Sequence, residues 1–599
     1  MSQVGLRGIW HGIIQTREKN QTMNNRELAD TFSLIGDLME IKGENVYKIL
    51  AYRKAADSLL NLGRDVNDVH REGSLTKIPG VGKAIAEKID ELITTGKLEF
   101  LEKLKSEVPA GLAEMLKVPE LGPKKVAMFW KEADIDSLEK LEAAASQGKL
   151  RTLPGMGQKS EAKILAGIAA LGRRTQRHPL AVAYPAAQDL LAYLRKVPGV
   201  VAAEAAGSLR RMRPTVGDLD LLVASSDPKQ VMQAFIEHPQ VLEVIGHGDM
   251  KSSVEFQNRL RAQLWVQPPE RFGTALVYAT GSKDHNVRLR EMALDQGLSL
   301  SEKSFLKEDG SEILCANEEE VYAVLGLPWM PPELREDRGE VQAARAGKLP
   351  RLIERNHLVS ELHSHSTWSD GKNSILDMAR GARDRGWKVL AITDHSTGLG
   401  ITGGLSIERL LEQRIEIDAV QEELGDSIHL LQGSEVEIKA DGELGLPDEV
   451  LEKLDIVVAS IHVGIRQPRE QVTARMINAI RNRHVDIIGH PTGRLIPNRE
   501  GADLDMDAVL AEAAKHDTAM EISSHPRRLD LEDVYARRAI EMGIHLSVNT
   551  DAHSPAELDV IDFGIATARR GWVRPEDVLN TWEPERLFGW LENHSSQGS

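Results

Sequence analysis

The chain has 599 residues, enough for several domains at about 150 residues each, and 41% of them are hydrophobic, enough to build their cores. With 28% charged residues and no apolar run near the ~18 residues that cross a bilayer, a membrane span is excluded; the single cysteine, Cys315, excludes internal disulfides and thiolate metal sites and fits a cytoplasmic protein. The net charge of −17 is uneven: residues 1–356 hold 49 Lys+Arg against 49 Asp+Glu, residues 357–599 hold 25 against 42, and 13 of the 19 histidines lie in that acidic part.

Residues 1–22 have neither a signal-peptide core nor an arginine-rich amphipathic pattern, and Met23 opens a clean helical stretch, so 1–22 is expected to be a disordered or mis-assigned extension. From residue 23 to about 180 the apolar spacing is helical, broken by three similar segments: IPGVGKAIAEKI at 78–89, VPELGPKKVAMFW at 118–130 and LPGMGQKSEAKIL at 153–165. Each reads as helix, Gly-rich hairpin, helix. Glycines such as Gly80, Gly82, Gly155 and Gly157 allow a tight turn and leave amide N–H groups at a helix start, where phosphate is favoured and DNA is gripped without reading its sequence. An isolated GxG is most often an ordinary turn, but three in one context favour DNA. Residues 151–196 add eight basic against two acidic side chains.

KILAYRKAADSLL, followed by IPGVGKAIAEKIDELITTGKLEFLEKL, resembles the small N-terminal domain of the bacterial family X DNA polymerases. The resemblance implies a DNA-end-binding domain at 23–107 and a helix-hairpin-helix, fingers-like region at 108–180. It implies that Lys48 and Tyr52 contact a 5′-phosphate and that Lys88 stands where a lyase lysine forms a Schiff base. Read from the residues alone, Lys88 is equally a solvated helix lysine.

Between 181 and 330 helical segments alternate with β-like runs. GSLRRMRPTVGDLDLLVA at 207–224 puts Asp218 and Asp220 two apart on a predicted strand, so both carboxylates share a face and can hold divalent ions. Ser208 and Arg211 suit a triphosphate, and the GS…GDLD arrangement resembles the nucleotidyltransferase signature. By the same resemblance 181–270 is an α+β palm, 271–330 a thumb-like region, and PPERFGTALVYATGSKDHN carries the nucleotide contacts Tyr278 and Asn286. The family's third carboxylate aligns with Gln263, a neutral amide; Trp265 replaces a family arginine, and Ala279 an aromatic residue. These departures predict Mg²⁺- or Mn²⁺-dependent nucleotide addition that is weak or lost. Glu255, eight residues upstream of Gln263, is not placed in the site by sequence.

Residues 331–356, charged and poor in apolar content, read as a linker. From 357 to 599 short apolar strands alternate with helices and end repeatedly in His, Asp or Glu, the pattern of a β/α-barrel site. His363, His365, Asp370, His395, Glu435, His462, His490, Asp551 and His553 supply nine ligand-type side chains. They match residue for residue the trinuclear site of the PHP (polymerase and histidinol phosphatase) superfamily, which implies a distorted β/α barrel. Imidazole and carboxylate without thiolate suit Mn²⁺ or Zn²⁺, up to three ions, and such a cluster cleaves a phosphoester by a metal-bound hydroxide. Asp394 reads as fixing the tautomer of His395. Arg494 reads as a phosphate contact or a salt bridge, and His525 as structural.

Three functions are weighed. The first is a monomeric DNA-repair enzyme that binds gapped or nicked DNA, trims 3′ ends in its PHP domain as a 3′-5′ exonuclease, and uses dNTPs weakly if at all. The second makes residues 23–330 a DNA-binding scaffold for a nuclease. The third makes the barrel a small-molecule phosphatase.

Overall fold

The structure, a computed structural model, describes residues 23–596 apart from residues 24, 61, 63–64, 110, 117, 119–120, 175–176 and 398–402. The extension expected at 1–22 lies outside them. The chain divides into two compact units, Met1–Gln176 and Arg177–Ser599.

The described part of the first unit is helical, as the 3.6-residue apolar spacing requires. Leu28, Phe32, Ile35 and Leu38 of helix Asn25–Lys42 form one continuous apolar stripe, buried with Ile49, Ala55 and Leu59 of helix Val46–Leu60. Ile78 and Val81 anchor the first hairpin from below, while Gly80 adopts φ +78° and Gly82 caps helix Lys83–Thr95. The hairpin glycines Gly80, Gly82, Gly155 and Gly157 are all exposed.

The second unit opens with a five-stranded sheet made from β1 (Val200–Ala205), β2 (Leu219–Ser225), β3 (Val241–His247), β4 (Lys251–Phe256) and β5 (Arg261–Gln267), in the order β1-β2-β5-β4-β3. Leu221, Val223, Leu264 and Val266 pack its inner face against Phe235 and Leu190. Helices Phe272–Thr280, Lys283–Asp295 and Glu318–Val324 follow, with a small three-stranded antiparallel sheet between the last two. Residues 331–356 are not a free linker. Met330, Val341 and Ala344 join the core of this thumb region, and Arg335 and Glu340 are fully buried in ion pairs with Glu318 and His285. The charges that suggested solvent exposure are paired inside.

The last part carries seven parallel strands in sequence order: β6 (Ser360–Ser364), β7 (Val389–Ile392), β8 (His429–Glu437), β9 (Ile456–Ser460), β10 (Ile487–Gly489), β11 (Ala519–Ser523) and β12 (Leu546–Asn549). Helices cover the outside, so the strands are buried on both faces and read as near-continuous apolar runs. The ends of β6 and β12 meet through a parallel bridge, Ser364 with Ala552, and His365 N–H donates to the Ala552 carbonyl at 2.9 Å. The sheet thus closes into a distorted barrel, and its strand C-termini converge on one mouth.

Candidate metal centre and palm cleft

Every one of the nine ligand-type residues lies on or just beyond a barrel strand and points to the same mouth. His363, His365 and Asp551 form one group whose ligand atoms lie within 4.8 Å of one another, His365, Asp370, His395 and His553 a second, and Glu435, His462 and His490 a third. Glu435 sits at the centre: its Oε1 is 2.8 Å from His490 Nε2, and its Oε2 is 3.0 Å from His395 Nδ1 and 3.5 Å from His363 Nε2. Both Glu435 oxygens, both ring nitrogens of His365 and of His490, and His363 Nε2 are buried without a hydrogen-bond partner. Buried polar atoms are rarely left so, and orphans of this donor set fit divalent cations. Burial holds His365 down to about 4, and burial with the Arg528 cation does the same for His490, so both rings are neutral ligands at pH 7. Burial opposes protonation of His395, but Glu435 and Asp370 outweigh it and raise that ring to about 10.

A second layer orients the ligands. His363 Nδ1–H donates to Glu521 at 2.8 Å, and His462 Nδ1–H donates to Glu437 at 2.7 Å, which leaves each Nε2 for the centre. Sequence reasoning missed both glutamates; their only signal is that each is an acid on a barrel strand, Glu521 at its middle and Glu437 at its end. Asp394 does not bond the His395 ring. It accepts from the Ser366 and Ser369 backbone and hydroxyls and from Gln413, tying down the turn that carries Asp370. Arg494 points away from the mouth: it donates to the carbonyls of Arg528 (2.6 Å) and Leu529 and pairs with Glu532 at 2.5 Å. Its guanidinium is consumed by protein, closer to the salt-bridge reading. His525 is half-buried in the turn below Arg528, whose N–H donates to the His525 carbonyl at 2.7 Å.

In the five-stranded sheet β2 pairs in parallel with β5, and Asp220 lies directly opposite Gln263. An amide therefore stands across the ladder from Asp220 and beside Asp218: Gln263 Nε2 donates to Asp218 Oδ2 at 3.0 Å. Burial, then the Asp218 charge, raises Asp220 to about 6. Gly207 has φ +59°, and a Cβ there would stand 2.2 Å from Asp220 Oδ2, so only glycine lets the chain of Ser208 pass the carboxylate. Glu255 shares the sheet face with Gln263 but is buried against Arg259 (2.8 Å) and Arg261 (3.3 Å), so its charge is spent. Trp265 packs on Tyr278 with ring centroids 6.2 Å apart, and Lys251 lies 4.6 Å over the Trp265 ring. Arg211 donates to the Thr280 carbonyl and to Glu336. Asn286 Nδ2 donates to the Tyr278 carbonyl at 2.8 Å.

In the first unit Lys48 is exposed, but Tyr52 is a core ring stacked between Phe32 and Phe100, and burial pushes its hydroxyl up to about 12. Its residual exposure of 8% leaves it little contact surface. Lys88 is half-buried, with Nζ 5.2 Å from the Phe100 ring centroid and 3.4 Å from the Ala84 carbonyl.

Family models match four stretches: a helix-hairpin-helix domain at residues 23–98, a SAM-like helix-hairpin-helix tandem at 112–170, a DNA polymerase beta thumb at 275–336 and a PHP domain at 361–525. Over 575 residues the chain is 40% identical to the DNA polymerase/3′-5′ exonuclease PolX of Bacillus subtilis, covering 96% of this chain and all of that one. A probable phosphatase of Thermoanaerobacter sp. is 30% identical over 241 residues, 38% of this chain and 88% of its own length. Rat DNA polymerase lambda is 26% identical over 352 residues, 54% of this chain and 58% of its own.

Proposed function

The chain belongs to the bacterial family X DNA polymerases that end in a PHP domain, and from that premise we propose that its principal chemistry is hydrolysis of DNA 3′ ends in the PHP centre. Family membership makes it a metal-dependent DNA-repair enzyme of the polymerase and 3′-5′ exonuclease type. One observation carries the emphasis on the PHP centre: nine ligand side chains converge with orphaned donors in the barrel mouth, whereas in the palm an amide fills the third acidic position. The ligand groups suit Mn²⁺ or Zn²⁺, which supply Lewis acidity toward a phosphodiester and activation of water. The protein's part is to keep His365 and His490 neutral, to fix the tautomers of His363 and His462 through Glu521 and Glu437, and to exclude bulk water by burial.

In the palm Asp218 and Asp220 remain as ligands for Mg²⁺ or Mn²⁺, with Ser208, Arg211, Tyr278 and Asn286 lining the nucleotide side. With Gln263 bonded to Asp218, gap filling from dNTPs is weak. The exposed hairpin glycines and Lys48 grip the backbone of gapped or nicked DNA; Lys88, on the helix that follows the first hairpin, is the lyase nucleophile candidate of the same domain. The protein works as a monomer in the cytoplasm.

The test follows a 5′-labelled primer in a one-nucleotide gap, with Mn²⁺ and all four dNTPs, in wild type, Asp220→Ala and His365→Ala. Shortening that His365→Ala abolishes, with little extension in any variant, is the expected result. Robust extension that Asp220→Ala removes would overturn the reading of Gln263, and turnover of small phosphate monoesters without DNA shortening would overturn the exonuclease.

A further inference from the structure

Among the basic side chains around the barrel mouth, Arg528 stands out by what it lacks. It sits in the turn after β11, its Nε is 3.4 Å from Asp551 Oδ2, only 14% of its side chain is exposed, and one terminal nitrogen is buried without a hydrogen-bond partner. A desolvated guanidinium nitrogen is costly to keep unless an anion completes it, and Arg is the side chain whose planar fork matches phosphate.

Two more arginines gather beside it. Arg499 is half-buried and donates to the Gly493 carbonyl at 3.1 and 2.6 Å, in the loop that follows His490; Arg466 is exposed, in the loop that follows His462. Burial first, then the Arg528 and Arg466 charges, lower the pKa of Arg499, so each of those two cations acts on Arg499. The fold fixes this arrangement: Arg494 holds the Arg528 and Leu529 carbonyls, Ile496 N–H donates to the Arg527 carbonyl at 2.5 Å, and the Leu529 side chain is fully buried in the palm's core cluster. The loop that carries Arg528 is therefore anchored by the palm.

We propose that Arg528 is the phosphate clamp of the PHP centre and that Arg499 and Arg466 extend it along the strand, so that the site selects a polynucleotide 3′ end over a small phosphodiester. This rests on the reading of the barrel as a phosphodiesterase. Water adds across the last phosphodiester: its oxygen bonds to phosphorus, the bond from phosphorus to O3′ of the penultimate nucleotide breaks, that O3′ takes a proton, and a nucleoside 5′-monophosphate leaves. Arg528 donates to a non-bridging oxygen whose charge grows as the bond to water forms. Arg499 and Arg466 take the next phosphates, which a small diester does not have.

The experiment uses the full Mn²⁺-loaded protein and three readouts: metal content, 31P line broadening of inorganic phosphate, and kcat/KM on a 5′-labelled single strand and on thymidine 5′-p-nitrophenyl phosphate. Arg528→Ala should weaken phosphate binding at least about tenfold and lower kcat/KM on both substrates, with metal content unchanged and partial rescue by Arg528→Lys. Arg466→Ala should lower the ratio of strand to small-diester kcat/KM by about tenfold. Wild-type phosphate binding in Arg528→Ala overturns the clamp, and an unchanged ratio in Arg466→Ala overturns the selectivity. Wild type that binds phosphate but shortens no DNA overturns the exonuclease reading and leaves the clamp to be judged by phosphate binding.

Discussion

Gln263→Asp places a third carboxylate beside Asp218 and Asp220, and its cost and benefit are separable. The amide now donates to Asp218 at 3.0 Å and relieves a pair in which Asp220 is already raised to about 6 by burial and by Asp218. A carboxylate in its place removes a hydrogen bond to a charged group, about 1.5–3 kcal/mol. It also adds like-charge repulsion of roughly 4 kcal/mol per charge at about 4 Å and an effective dielectric near 20. Part of this is avoided by proton uptake, so the metal-free variant should lose about 2–4 kcal/mol of palm stability. Mn²⁺ at 100 times its dissociation constant returns about 2.7 kcal/mol. The expected pattern is a melting midpoint below wild type in EDTA and a larger upward shift with Mn²⁺ than wild type shows. Primer extension on gapped DNA should rise by roughly 100-fold, the scale set by correct placement of the reacting groups. A variant with wild-type midpoints in both conditions and no gain in extension would refute the reasoning.

Other expectations follow from the same geometry. Glu437→Gln should weaken metal retention roughly 10- to 100-fold and lower exonuclease rate in proportion, since the amide no longer fixes the His462 tautomer as an anion does; retained metal at wild-type stoichiometry after dialysis would contradict this. Asp220 must lose its proton to bind a cation, and its pKa lies near 6. Palm affinity for Mn²⁺, taken as the difference between wild type and Asp220→Ala, should be flat above that pH and fall about tenfold per unit below it. Without metal the sign reverses: the raised pKa means stability is fully present below the unfolded value near 4 and declines as pH rises through about 6. Glu336→Gln leaves Arg570, which it meets at 2.9 Å in the interior, together with Arg211 and Arg213, undercompensated, and should cost about 3–5 kcal/mol in urea unfolding. A loss below about 1 kcal/mol would show that Asp533 alone suffices. Binding to gapped DNA should fall with salt at a log–log slope of roughly −4, as about five phosphate contacts by the hairpins and Lys48 imply.

The candidate metal ligands were legible because most of them stand in short polar exceptions at the ends of apolar strands: TDHS, SIH, GHP and NTDAHS interrupt runs that otherwise bury on both faces. A polar group in such a place has to be satisfied, and a metal satisfies many at once. The register of Gln263 was legible for a related reason. Once Asp220 faces the cleft, the parallel ladder leaves one position on the neighbouring strand able to join it.

What escaped was pairing at a distance. Residues 331–356 look solvated because composition counts charges without their partners, and Glu318 with Arg335, or His285 with Glu340, meet only after the thumb has folded. Glu521 sits inside an apolar strand as a lone acid and Glu437 ends its strand two residues after Glu435; each acquires meaning only when the fold brings His363 or His462 beside it. The arginines show the same limit most plainly. Arg494 follows the GHP turn and looked suited to phosphate, yet it spends its donors on the carbonyls of Arg528 and Leu529. Its neighbour in space, not in sequence, is the one left with an unpaired nitrogen at the metal ligands. A sequence shows which side chains can bind an anion; only the closed fold shows which of them still has a donor to give.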